Sequence, residues 1–181
     1  MRFDRGIIER DRWMVSLLII TGTMGAGKTS ILGEASDILT QRQVVHAAID
    51  VDALGLAHLP SVIREDEAMY SNLRSVCKNY INLGIERFLM ARVLESRSEL
   101  DICRCAISAT STIVCRLTET MEQRVRMREL GMLQRKYVSR VAELNSALDN
   151  VQLENFAVVN DDRSLTAVAH EVLFKAGWIS D

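Results

Sequence analysis

The residue types best suited to chemistry stand together in one short stretch, GTMGAGKT at positions 22–29. Glycines at 22, 25 and 27 let the backbone turn tightly enough for consecutive N–H groups to converge on one anion. Lys28 follows with a mobile cation. Thr29 and Ser30 then supply hydroxyls where a helix begins, and the helix start adds its positive dipole end. The spacing G-x-x-x-x-G-K-[ST] is that of a triphosphate cradle. In it the backbone of Gly22, Gly25, Ala26 and Gly27 surrounds the phosphates and Lys28 reaches the β- and γ-phosphates. Thr29 ligates magnesium, and Ser30 faces the α-phosphate.

A second group of candidates is Ile49-Asp50-Val51-Asp52, at the carboxyl end of the second apolar run. In open α/β sheets this edge is where ligands bind. Residues two apart on a strand point the same way, so both carboxylates are expected to face the cleft. One would hold magnesium through water and the other accept a proton from an attacking hydroxyl; capping of the following turn is the alternative. Further along, Arg124, Arg128 and Arg135 would share one face of a continuous helix, with Arg126 beside them and Gly131 interrupting. Such a face either covers a phosphate site or is a solvated surface balanced by Glu119, Glu122 and Glu129. A guanine reader N-K-x-D is missing where Asn160-Asp161-Asp162-Arg163 stands, which favours ATP over GTP as the nucleotide.

These residues need a scaffold, and the chain alternates short apolar runs with longer helical patterns. That alternation predicts a parallel sheet covered by helices on both faces. Residues 16–21 (SLLIIT) read as a strand buried on both faces. Ile31, Leu32, Ala35, Ile38 and Leu39 are spaced as one helix face. Further strands are expected over 44–51, 87–94, 111–117 and 155–160. Helices are expected over 68–83, 95–105, 119–130 and 137–151, with a last one capped by Ser164. The acceptor side would lie between Asp52, the 54–66 loop and the 68–83 helix, where His58, Arg64, Tyr70, Asn72 and Arg74 are available.

GTMGAGKT, followed about twenty residues later by D-x-D, resembles the small P-loop kinases. These include the shikimate, gluconate and adenylylsulfate kinases and chloramphenicol phosphotransferase. Met24 to Thr29 looks like the shikimate kinase loop. Val51-Asp52-Ala53-Leu54 looks more like the chloramphenicol phosphotransferase stretch, whose aspartate is the proposed base. The resemblance implies a three-layer P-loop NTPase fold with a five-stranded parallel sheet in the order 2-3-1-4-5 and a short lid at about residues 124–137. It also carries the base role to Asp52 and the lid roles to Arg124 on adenine and Arg128 on the transferring phosphoryl group, while Thr29 and Asp50 are the magnesium candidates from the loop and the strand end themselves. The Asn160–Arg163 loop would border the adenine. The chain departs from the family after the third strand, where Arg92-Val93-Leu94-Glu95-Ser96-Arg97 contains neither G-G-G nor D-G-x-P-R. The substrate class therefore does not transfer. Glu95 either replaces the usual acidic residue there or starts a helix.

The 181 residues allow one domain, expected over 14–181, with residues 1–13 a charged extension. At a net charge of −2 there is no global attraction for nucleic acid or an anionic membrane. No apolar run reaches the ~18 residues of a membrane span. The four cysteines, Cys77, Cys103, Cys105 and Cys115, lack zinc-site spacing and suit a reducing cytoplasm. The expected function is ATP- and Mg2+-dependent phosphate transfer to a hydroxyl of a small metabolite or antibiotic-like molecule. A switch-type ATP-binding module for a protein partner and a nucleoside or nucleotide kinase are the rivals. Oligomeric state is not legible in the sequence.

Overall fold

The computed structural model describes residues 14–58, 60, 65–118 and 133–180. Five strands form one parallel sheet: β1 (Ser16–Thr21), β2 (Ala47–Asp50), β3 (Arg87–Ala91), β4 (Ser111–Thr118) and β5 (Phe156–Val159). Their order across the sheet is β2-β3-β1-β4-β5, as the family resemblance implied. Helices α1 (Lys28–Gln41), α2 (Glu65–Asn82), α3 (Arg97–Ile107), α4 (Leu133–Val151) and α5 (Leu165–Lys175) run between and after the strands.

The central position of β1 explains its unbroken apolar run. Leu18 and Ile20 point into a core shared with Ile31, Leu39, Val168 and Val172 of α1 and α5. Leu17 and Ile19 point into a second core with Leu73, Cys77, Leu100 and Cys103 of α2 and α3. Alternate residues of a strand face opposite sides, so a strand covered on both sides is apolar throughout. Burial of each such side chain contributes about 1.5–3 kcal/mol.

Several element ends differ from the expected ones. β2 begins only at Ala47, because the Val44 N–H caps α1 on the Leu39 carbonyl at 2.9 Å and the His46 ring lies 2.8 Å from both the Val44 carbonyl and Ser36 Oγ. It ends at Asp50, because Val51 turns into the right-handed helical region (φ −68°, ψ −34°) and a short 3-10 helix, Asp52–Gly55, follows. β3 ends at Ala91 rather than at residue 94; Val93 and Leu94 are buried without extending the ladder. α3 runs over Arg97–Ile107, capped by Ser96, and α4 starts at Leu133. The expected 119–130 helix and residues 124–132 of the expected lid lie outside the described residues, as does the 1–13 extension, while 133–137 form the start of α4. Among the described residues no helix is long and apolar enough to cross a membrane.

Candidate functional site

The carboxyl edge of the sheet gathers the candidate residues. β1 delivers the chain into the 22–29 loop, where Gly22 has φ +147° and Gly27 φ +83°. A Cβ on Gly22 would lie 2.7 Å from the Leu117 carbonyl oxygen, and one on Gly27 would lie 2.6 Å from Asn160 Nδ2. A side chain is strained at both positions by backbone conformation, and at Gly22 also by the fixed Leu117 carbonyl, which favours glycine in the loop. Gly27 is the N-cap of α1, and the Gly27 carbonyl accepts the Ile31 N–H at 2.9 Å. The helix therefore starts with its N–H groups directed into the loop. Lys28 Nζ donates to the Thr23 carbonyl at 2.9 Å, which folds the ammonium over the loop. The Thr23 hydroxyl is buried with no hydrogen-bond partner among the described residues, an uncompensated polar atom inside the cradle.

The two aspartates meet the loop in different ways. Thr29 Oγ1 donates to Asp50 Oδ2 at 2.7 Å, joining residues 21 positions apart. The other oxygen of Asp50 accepts the Asp52 backbone N–H at 3.1 Å. Asp52 is therefore not the strand neighbour of Asp50 that a two-residue period suggested; it opens the 3-10 helix and is placed by the turn. A threonine hydroxyl against a carboxylate is a donor set that fits magnesium, an ion that keeps most of its waters and takes one or two protein oxygens. Among the described residues no cluster of three His, Cys, Asp or Glu side chains is placed to hold a metal ion.

Arg92 and Glu99, to which the sequence alone gave no role, reach this site together with Tyr70 of the acceptor side. Arg92, just past β3, pairs with Asp52 Oδ1 through Nη1 and with Glu99 Oε1 through Nη2 at 3.1 Å. Its guanidinium lies 5.9 Å from the centroid of the Tyr70 ring. Burial works against its charge, but the hydrogen bond and charge of Asp52, then Tyr70 and Glu99, outweigh it and hold the guanidinium above its usual pKa. Glu99 also accepts the Tyr70 hydroxyl at 3.2 Å and the Glu95 N–H at 2.6 Å. Burial first, and Glu99 second, push the Tyr70 phenol above its usual range. Asn160, expected near adenine, donates to the Ala26 carbonyl at 3.0 Å and so ties the β5 loop to the phosphate loop. The S-x-x-E spacing of Ser96 and Glu99 was the sequence signal for this corner; Arg92 offered only a charge beside a buried strand.

On the acceptor side, Tyr70 is buried and Asn72 donates to the Leu54 carbonyl at 2.9 Å, bracing the 3-10 helix. His58 and Arg74 are exposed. Arg64, Arg124, Arg126 and Arg128, and the side chain of Arg135, lie outside the described residues. Ser30 is exposed in the first turn of α1, and Glu95 is exposed just before α3.

No family model matches the sequence, and no curated protein matches it. Solved structures do. The Mycobacterium tuberculosis APS kinase, determined in complex with AMPPNP and APS, is 14% identical with a TM-score of 0.61, over 91% of this chain and 98% of its own. A Deinococcus radiodurans tunicamycin resistance protein is 13% identical with a TM-score of 0.60, over 90% and 96%. A gluconokinase from Sinorhizobium meliloti 1021 is 19% identical with a TM-score of 0.56, over 92% and 94%. At such identities the likeness speaks for architecture alone: this chain has the fold of the small P-loop kinases, with no subfamily assigned.

Proposed function

We propose that the chain is an ATP- and Mg2+-dependent phosphotransferase acting on a hydroxyl of a small molecule. The observation that carries this reading is the chain Thr29–Asp50–Asp52, in which the Asp50 carboxylate accepts both the Thr29 hydroxyl and the Asp52 backbone N–H and so ties the residue bearing a second, half-exposed carboxylate to the phosphate loop. Magnesium held at Thr29 and Asp50 would offset charge on the β- and γ-phosphates. Asp52 accepts the proton of the acceptor hydroxyl as its oxygen bonds to the γ-phosphorus. The bond from that phosphorus to the β,γ-bridging oxygen breaks, and ADP leaves with the electron pair. Lys28 stays on the phosphates throughout, Ser30 serves the α-phosphate, Arg124 covers adenine, and Arg128 closes over the transferring group. The names of the similar structures support small acceptors, since an APS kinase and a gluconokinase are among them. The three buried thiols support a reducing, cytoplasmic setting.

The test is a panel of hydroxyl compounds with ATP and magnesium, read by phosphorus NMR. A new phosphomonoester signal is expected. Asp52→Asn should lower transfer at least ~100-fold while ATP binding changes less than about threefold. Hydrolysis with every acceptor and transfer to none would support the switch-type module instead, and wild-type turnover in Asp52→Asn would remove Asp52 as the base.

A further inference from the structure

Asp52 has two oxygens in different surroundings. Oδ1 is held by Arg92 Nη1, and Oδ2 has no partner among the described residues. Arg92 is in turn held at its far side. Glu99 takes Nη2, and Glu99 is itself fixed by the Tyr70 hydroxyl and the Glu95 N–H, with its own backbone N–H on Ser96 Oγ at 3.3 Å. Arg92 Cζ lies over the face of the Tyr70 ring, 5.9 Å from its centroid. This places a rigid fork on the carboxylate, anchored to the first turn of α3 rather than to the mobile end of a long side chain.

The same contact is a poor device for stability. Asp52 is 47% exposed, a setting in which an ion pair contributes little. Arg92 Nε is buried with no hydrogen-bond partner among the described residues, a net cost to the fold. An arginine whose terminal nitrogens are both fixed at the expense of Nε has its orientation, and not its satisfaction, optimised.

We propose that Arg92 is a positioning residue for phosphoryl transfer: anchored by Glu99, its guanidinium pins Asp52 Oδ1 so that Oδ2 is presented to the acceptor hydroxyl. The proposal rests on the reading of Asp52 as the base. Both terminal nitrogens of Arg92 already hold carboxylates, so its effect falls on the geometry of proton removal and not on acceptor affinity.

Two measurements on the full chain test it. In the first, nitrogen-15 NMR follows the Arg92 guanidinium with AMPPNP and magnesium bound, assigned by its loss in Arg92→Lys. Restricted rotation about both Cζ–Nη bonds is expected in the wild type, and in Asp52→Asn freer rotation at Nη1 while Nη2 stays held by Glu99; free rotation in the wild type overturns the proposal. In the second, kinetics use whichever acceptor the phosphorus NMR panel returns. Arg92→Met should lower kcat on the order of 100-fold, with acceptor KM within about threefold. Arg92→Lys should recover part of the loss, Glu99→Gln should lower kcat in the same direction, and Arg92→Met should add nothing to Asp52→Asn. Retained AMPPNP binding shows that each variant folds. An unchanged kcat, or a loss confined to KM, overturns the proposal. If the wild type phosphorylates nothing yet its guanidinium is restrained, the clamp stands and the kinase reading is what fails.

Discussion

At Gly27 two requirements coincide, and each can be removed separately. The residue sits at φ +83°, which costs a side-chain-bearing residue about 1–2 kcal/mol. Its Cα also lies under the Asn160 amide, 2.6 Å from where a Cβ would be. Gly27→Ala should weaken ATP binding by about tenfold or more, equivalent to about 1.4 kcal/mol, measured by calorimetry. Adding Asn160→Ala should return only the steric part and leave the conformational part. If the double variant binds like wild type, φ carries no cost there; if it gains nothing, the contact is irrelevant. The motif made Gly27 legible in the sequence. Asn160 was not legible as its neighbour, because the hydrogen bond that brings it there, to the Ala26 carbonyl, joins residues 134 positions apart and exists only once β5 lies beside β4.

Among the elements, α3 stands out because its first turn serves both stability and the site. Ser96 accepts the Glu99 N–H, and Glu99 reaches back to the Glu95 N–H, close to a capping box. Ser164 caps α5 in the same way, accepting the Ala167 N–H at 3.2 Å, but its helix packs on the opposite face of the sheet. Ser96→Ala and Ser164→Ala should each cost about 1 kcal/mol in chemical denaturation. Only Ser96→Ala should loosen the Arg92 guanidinium by NMR. Equal loosening in both variants would show that Glu99 is not the anchor. The ends of β2 and β3 were not legible, since a strand stops where its partner stops. Asp50 and Ala91 form the last pair of that ladder, and Val51, Val93 and Leu94 remain apolar beyond it because the loops they form are buried too.

Across the whole molecule, the two-faced sheet decides the chemistry of the thiols. Burial raises Cys77 and Cys115 to about 12 and Cys103 to about 11, while Cys105 is exposed. A thiol raised in this way is almost wholly protonated at pH 8, and the thiolate is the reactive form. Ellman's reagent at pH 8 should therefore modify one thiol rapidly, and Cys105→Ser should abolish that phase. Denaturant should release all four. Three fast thiols in the native protein would mean that the cores around α2, α3 and α5 open readily.

The sequence by itself determined the phosphate loop, the alternation of strands and helices, and the apolar character of β1. Each of these is local: neighbours along the chain set turn geometry, periodicity and burial pattern. Family resemblance extended this to the strand order, which the structure shares. Only the tertiary structure decided which carboxylate meets Thr29, that Asp52 is placed by a turn and not by a strand, and that Arg92, Glu99 and Tyr70 converge on it. Those contacts join the first turn of α1 and the ends of β2 and β3 with α2 and α3. Their distances follow from the parallel register of the sheet, which no single stretch of sequence encodes.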